Sequence, residues 1–464
     1  MRFSVIGGMI KQPSPEALLK KYDVPTPRYT SFPTVPHWNT DEFSRELWEQ
    51  SVRHCFDETN TTKGISLYLH LPFCESLCTY CACNTRITRN HTVERPYILS
   101  LLKEWRHYCD IFGSRPVIRE LHLGGGTPTF FTPANLQWLI HTLLEEADVH
   151  PDRHFSFEGH PNNTTIEHLQ VLHELGFDRV SFGVQDLDPR VQQAIHRVQP
   201  LENVKRAIEN ARNTGYKSVG IDLIYGLPHQ TPFSVSDTMD QVLAMRPDRV
   251  AFYSYAHVPW LKPGQRGYEN TDLPSPYLKR HFYEIGKHKL CHNGYADIGM
   301  DHFALPSDEL FKAHIAGKLH RNFMGYTTTS TDLLIGLGTS AISDSRYAYA
   351  QNEKTVEHYH KAVAKDSSAV KKGHILNGKD GLIRKSILQL ACRGELSLEM
   401  LQQLETPEVS VALHAMEAEG LLYRHDHGIT ITHAGHPFIR NICSVFDPYY
   451  QAQDQSLATF SKAI

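Results

Sequence analysis

From residue 65 onward the chain alternates short β-rich runs with amphipathic helical stretches, and few folds accept that rhythm. The runs are ISLYLHL (65–71), IRELHL (118–123), HFSFE (154–158), RVSFGV (179–184), SVGIDLIY (218–225) and RVAFYSY (249–255). Between them PYILSLLKEWRHYCDIF (96–112), ANLQWLIHTLLEEA (134–147) and LENVKRAIENARNTG (201–215) space apolar residues at helical intervals, the last ending on a capping glycine. This is the βαβ pattern, and right-handed crossovers make its strands parallel. The units predict an α/β fold, a partial (β/α)6 barrel over residues 61–305. In such barrels functional groups sit just past the strand C-termini. A cysteine cluster at 74–83, GGGTP (124–128), Glu158, Gln185 and Asp222 all fall at or beyond a strand end.

The flanks read differently. Residues 1–60 are Pro-rich and irregular, PTPRYTSFPTVPHW (25–38) above all, and predict an extended N-terminal arm. The rhythm stops after about residue 300, so 306–369 is expected to cover the barrel. Residues 370–464 contain DGLIRKSILQLAC, SLEMLQQL, VSVALHAMEAEGLL and YRHDHGITIT, which predict a small, mainly helical, winged-helix-like C-terminal domain with a hairpin at HDHG. Winged helices often bind nucleic acid, but Glu417, Glu419 and Asp426 leave this one without a basic face. The whole chain of 464 residues has a formal net charge of −4, so charge implies no nucleic-acid partner. The opening MRFSVIGGMIKQPSPEA is too short in its apolar run for a signal segment, and no long apolar stretch predicts a membrane span. The 9 cysteines are odd in number and unevenly spread, which fits a reduced, cytoplasmic protein with one metal site. The 29 histidines are expected mostly on the surface or in the core.

The cysteine cluster, PFCESLCTYCACN (72–84), has the spacing C-x3-C-x2-C-x-C. Thiolates from Cys74, Cys78 and Cys81 can wrap a 4Fe–4S cubane, hold three irons and leave the fourth open. An open position is what catalysis requires of a metal centre, and the amino and carboxylate groups of S-adenosylmethionine can fill it. A structural zinc site favours two separated C-x2–4-C pairs, and no second pair exists. A four-cysteine electron-transfer cluster wants its fourth thiolate farther off than Cys83, which reads as a thiol packed beside the site. GGGTP lets the backbone approach a ligand closely. Glu158, Gln185, Arg197 and Asp222 are polar groups near successive strand ends: carboxylates suit ribose hydroxyls or an ammonium, and an Arg fork suits a carboxylate.

With Tyr80 before its third cysteine, the motif is that of the radical S-adenosylmethionine superfamily. The string LYLHLPFCESLCTYCACN resembles more narrowly the oxygen-independent coproporphyrinogen III dehydrogenases (oxidases) of haem biosynthesis. So do PRYTSFPT (27–34), LHLGGGTPTF (121–130), FGVQD (182–186), IDLIYGLPHQTP (221–232), MDHFA (300–304), HRNFMGYTT (320–328) and IRNIC (439–443). The likeness runs from about residue 20 to the C-terminus. It implies conversion of coproporphyrinogen III to protoporphyrinogen IX: a 5′-deoxyadenosyl radical takes a hydrogen from a propionate β-carbon, then CO2 and one electron leave, twice in turn. It also implies two S-adenosylmethionine molecules. Tyr68, Gly125, Glu158 and Ile342 match positions around the cluster-bound one; Tyr80, Gly126, Thr127, Gln185, Arg197, Asp222 and Ala256 match those around the second. Tyr68, Glu158 and Arg321 are the candidate catalytic residues. Arg28 and Arg321 are candidates for the propionates, and Tyr29 and Tyr326 for the pocket lining.

Two segments depart from the family. Its Glu is usually followed by Val-Asp-Pro, here Gly159-His160-Pro161, and its HRNFQGY is here HRNFMGY, with Met324 for a Gln. Two other readings follow: a related radical methyltransferase acting on another tetrapyrrole, or a haem-binding chaperone on the same barrel. The implied partners are the tetrapyrrole and an electron donor and acceptor, with the chain itself a monomer.

Overall fold

The computed structural model describes residues 13–452 and 460–462. Residues 1–12, which bear on the signal-segment expectation, lie outside them. The described residues form two units, one of His37–Gly381 and one of those up to Pro36 with those from Leu382 onward.

In the larger unit six strands stand side by side and parallel: β1 (Ile65–Leu71), β2 (Val117–Gly125), β3 (Asp148–Gly159), β4 (Arg179–Gln185), β5 (Ser218–Tyr225) and β6 (Arg249–Ser254). Alternation decides which way each residue faces. In β1, Ile65, Leu67, Leu69 and Leu71 are fully buried in the apolar core, while Ser66, Tyr68 and His70 alternate with them on the other face. The core lies between this sheet and the crossover helices, with Trp105, Leu139, Phe155, Val180, Ile208 and Val242 among its members. The helices start where small polar residues cap them. Thr132, Thr165 and Thr231 each accept from a backbone N–H of the first turn of Pro133–Glu145, Ile166–Glu174 and Pro232–Met245. Leu201–Thr214 ends on left-handed Gly215, as the sequence predicts.

Beyond residue 300 the structure corrects the expectation of a mere covering segment. Leu334–Leu337 pairs parallel to β1 on its free edge, and Ile342–Asp344, Ala348–Asn352 and Val370–Ile375 extend the sheet antiparallel from there. These strands are short, and the helix Val356–Asp366 among them joins two antiparallel neighbours, so they carry no βαβ rhythm. Past β6, His302–Ala304 and Ala296–Gly299 close the opposite edge antiparallel. The expected arm of 1–60 also divides elsewhere. The helix Arg45–Lys63 buries Trp48, Val52, Cys55 and Phe56 in the barrel's core, so it belongs to the larger unit.

The smaller unit has the order helix, strand, helix, helix, hairpin. Glu395–Ser397 pairs with Gly428–Ile431, which pairs with Leu422–His425 across the turn at Asp426 and His427. Leu398–Leu404 and Pro407–Ala418 lie between them in sequence. The N-terminal helix Pro15–Tyr22 joins this unit through Tyr22 and Lys21, both bonded to Glu419. No helix among the described residues is long and apolar enough to cross a membrane.

Candidate active site

The cysteine loop leaves the C-terminal end of β1 and is tied down on several sides. Gly126 N donates to Leu71 O at 2.9 Å and Thr127 N to Phe73 O at 3.0 Å. Thr79 donates through N to Ile195 O at 3.0 Å and through Oγ1 to Ala194 O at 3.1 Å. A Cβ on Gly126 would stand 2.5 Å from Pro72 O, so only glycine lets the two backbones meet. Each thiol faces a different neighbour. Cys74 Sγ lies 3.4 Å from Thr127 Oγ1, and Arg197 Nη1 donates to Cys78 Sγ at 3.5 Å. Burial pushes the Cys74 thiol up to about 11. A hydrogen bond with Cys83 brings Cys81 down to about 6 and sends Cys83 well up, so Cys83 keeps the proton.

Among the described residues no three His, Cys, Asp or Glu side chains converge tightly enough for a single metal ion. A cubane takes one thiolate per iron and asks for thiols that stand apart around a shared space. Three thiols on one anchored loop, each within electrostatic reach of Arg197, fit that demand.

Beside the loop stands the first group of expected residues. Tyr68 Oη lies 3.0 Å from His70 Nδ1, and His70 Nε2 lies 2.8 Å from Asn84 O at the end of the cysteine loop. The Tyr68 ring stacks on His122 at 6.0 Å and 17°. His122 Nε2 lies 3.5 Å from Glu158 Oε1. Glu158 stands at the end of β3 with 48% of its side-chain surface exposed. Burial raises its pKa; His122, the Gly125 N–H and His70 outweigh that and hold it below the usual carboxylate value. Gly124 and Gly125 keep this space clear, since a Cβ on either would meet Tyr68 or the His70 ring at 2.8–3.0 Å. Ile342 closes the far side: its carbonyl is 2.5 Å from where a Cβ on Gly336, the partner of Tyr68 in the sheet, would sit.

The second group gathers around Arg197. Its Nη2 donates to Gly183 O at 2.5 Å, while its buried Nε has no partner among the described residues. A half-satisfied guanidinium in a cleft is a ready carboxylate receptor. Gln185 holds a positive φ of 71°, and its Nε2 is 2.7 Å from where a Cβ on Gly183 would be. Asp222 Oδ1 accepts from Ser181 Oγ at 2.9 Å. Tyr80 packs on a small apolar cluster containing Ile195, Leu227 and Tyr255. Gln265 donates to both Tyr80 O and Ala256 O, at 3.0 and 3.1 Å.

Arg321 and Tyr326 face each other across the short ribbon of His320–Asn322 and Gly325–Thr327, the guanidinium 4.9 Å from the ring centroid. Arg321 is buried, and its Nε too lacks a partner among the described residues. Tyr253 links this pair to the barrel: its phenol feels Asp222, Asp301, Arg321 and Glu158, and its Oη is 3.3 Å from His302. Met324 occupies the two-residue turn of that ribbon. His160 lines a cavity of about 410 Å³ with Glu75, Arg89, Asn162 and Arg197, and burial, then Arg197, hold it neutral with a pKa of about 3. Arg28 and Tyr29 belong to the smaller unit, where Tyr29 is buried and donates to Asp447 Oδ2 at 3.1 Å.

His70, His122, Tyr253 and Gln265 were not legible as site residues from their motifs. A signal existed for the first three. Each is a polar residue at an alternate, inward-facing strand position of a barrel whose interior is usually apolar.

A sequence profile of the Radical SAM superfamily matches residues 68–242. The chain is 38% identical over 460 residues to the oxygen-independent coproporphyrinogen III oxidase of Pseudomonas aeruginosa, covering 96% of this chain and 98% of that one. Against the Escherichia coli protein of the same name it is 37% identical over 455 residues, covering 97% and 98%. A solved structure of coproporphyrinogen III oxidase from Escherichia coli, described as a radical SAM enzyme, superimposes with a TM-score of 0.87 at 36% identity, over 95% of this chain and 100% of that one. Similarity of that degree, end to end, shows that the chain belongs to the family of oxygen-independent coproporphyrinogen III oxidases within the radical SAM superfamily.

Proposed function

We propose that the chain converts coproporphyrinogen III to protoporphyrinogen IX, turning two propionates into vinyl groups. The observation that supports this most is the setting of the three-cysteine loop, on the β1 rim beside a half-buried Arg197 whose buried Nε has an unmet N–H, in a chain that aligns with its relatives from end to end. When bound, the 4Fe–4S cluster and S-adenosylmethionine supply an electron for sulfonium cleavage and a 5′-deoxyadenosyl radical that takes a hydrogen atom. Each propionate then gives up CO2 and one electron to an external acceptor.

The chain's own residues bind, orient and exclude water. Cys74, Cys78 and Cys81 hold the cluster. Tyr68, Gly125, Glu158 and Ile342 surround the first cofactor molecule. Tyr80, Gly126, Thr127, Gln185, Arg197, Asp222 and Ala256 surround the second, and Arg197 presents its free Nε to a carboxylate. Arg321, buried and only partly satisfied, is suited to a substrate propionate. An electron donor and acceptor complete the partners. Nine free thiols fit a reducing, cytoplasmic setting.

The test is anaerobic. The reconstituted protein receives S-adenosylmethionine, reductant, an electron acceptor and coproporphyrinogen III, and protoporphyrin is followed by fluorescence after oxidation. Product from the wild type and none from Cys78→Ala is the expected result. Release of 5′-deoxyadenosine without protoporphyrin would keep the radical enzyme and overturn this substrate.

A further inference from the structure

The barrel's register lines up four polar residues in one row. Tyr68 on β1 pairs with His122 on β2, His122 with Ser156 on β3, and Ser156 with Arg179 on β4. Barrel interiors of this kind are normally filled by branched apolar side chains, and a buried polar row is costly unless its members satisfy one another. Three of these do, while the Tyr68 hydroxyl is met by His70. Arg179 Nη2 donates to Ser156 Oγ at 3.0 Å, Ser156 Oγ lies 2.8 Å from His122 Nδ1, and His122 Nε2 lies 3.5 Å from Glu158 Oε1. The His122 ring lies nearly parallel to Tyr68, with centroids 6.0 Å apart. At its far end the row opens on a polar cavity of about 430 Å³ where β4, β5 and β6 begin, lined by Arg179, Ser218 and Arg249.

The proton inventory gives this row a direction. A guanidinium can only donate, so Arg179 takes a lone pair of Ser156 Oγ. The serine hydrogen can then go to His122 Nδ1, the arrangement that leaves the ring hydrogen on Nε2, toward Glu158. We propose that His122 is a positioning residue for Glu158, held in its Nε2–H form by Ser156 and Arg179, so that the Glu158 carboxylate stands ready for S-adenosylmethionine. The proposal rests on Glu158 being a cofactor-facing residue, and the depressed pKa of Glu158, with His122 the largest of its lowering causes, agrees with it.

The test uses the cluster-loaded enzyme and reads S-adenosylmethionine binding by calorimetry, together with the change that S-adenosylmethionine makes in the electron paramagnetic resonance of the reduced cluster. His122→Phe keeps a ring against Tyr68 but has no N–H. It is expected to retain full iron content, bind S-adenosylmethionine about 10-fold more weakly and need correspondingly more of it to change the spectrum. His122→Gln, whose amide can donate to Glu158, restores most of the affinity. Ser156→Ala, which frees the tautomer, falls between. Wild-type affinity in His122→Phe, or equal loss in the Phe and Gln variants, overturns the proposal. The cofactor assignment fails separately, and the proposal with it, if Glu158→Gln binds S-adenosylmethionine as the wild type does.

Discussion

Asp222 carries its carboxyl inside the barrel, where burial first and Glu158 second push its pKa up to about 7 from 3.8. The folded protein therefore holds a proton on Asp222 that the unfolded chain has already released. Stability tied to the neutral carboxyl is fully present below about pH 3.8 and is lost as pH rises through 7. Asp222→Asn keeps an acceptor for the Ser181 hydroxyl and removes the charge. In urea unfolding of the cluster-free protein, the variant is expected to exceed the wild type by ~1–3 kcal/mol at pH 8, less than the full shift because the side chain meets cavity water. The difference should shrink steadily toward pH 4. A gap that does not change with pH would remove the buried charge as its origin. At the same scale, Glu158, Arg197 and Asp222 are visible in sequence because charged residues at strand ends are rare enough to notice. His122 is not, because a lone histidine in a strand has no motif of its own. Only the register, which sets it beside Tyr68 and Ser156, gives it a partner.

Among the elements, the loop from Ala256 to Gly267 shows how much a site depends on a residue that never faces it. Gln265 is fully buried, accepts from Val258 N at 2.6 Å and donates to the carbonyls of Tyr80 and Ala256. It thus joins two separate loops, one carrying the cysteines. Gln265→Ala leaves a donor and two acceptors unmet, at ~1–3 kcal/mol for each group that water cannot reach. Limited proteolysis is expected to cut the 256–267 loop faster, and reconstitution to yield less iron per chain. Unchanged proteolysis and iron content would show the loops to be held independently of Gln265. The elements themselves were legible to different degrees. All six parallel strands fall where apolar and polar residues alternate between helices. The strands after 330 escaped because three to six residues are too short to show a period, and the first three follow one another with no helix between them. The helix Arg45–Lys63 was hidden by the prolines before it and by its own charge, since few of its residues are buried.

At the scale of the molecule, two kinds of work are placed on different stretches of chain. The cysteine loop and the strand ends from β1 to just past β6, together with Ile342, carry the residues proposed for the cluster and S-adenosylmethionine. The stretch from His302 to Tyr326 carries Arg321 and its neighbours, and Tyr253 on β6 stands between the two groups. Loss of a group from the first set should stop radical formation, whereas loss from the second should leave it running without a well-held substrate. Arg321→Met tests this because methionine fills similar space against Tyr326 without a charge. The variant is expected to keep its iron content and its S-adenosylmethionine affinity, to raise the KM for coproporphyrinogen III by about 100-fold through loss of a buried charge-assisted pair, and to release several 5′-deoxyadenosines per vinyl group formed. Gln185→Ala, from the first set, should instead lower both products together. The measurement is the ratio of 5′-deoxyadenosine to protoporphyrin in one anaerobic time course. If Arg321→Met loses both products in parallel at saturating substrate, Arg321 serves the radical-forming half, and the division along the chain does not hold.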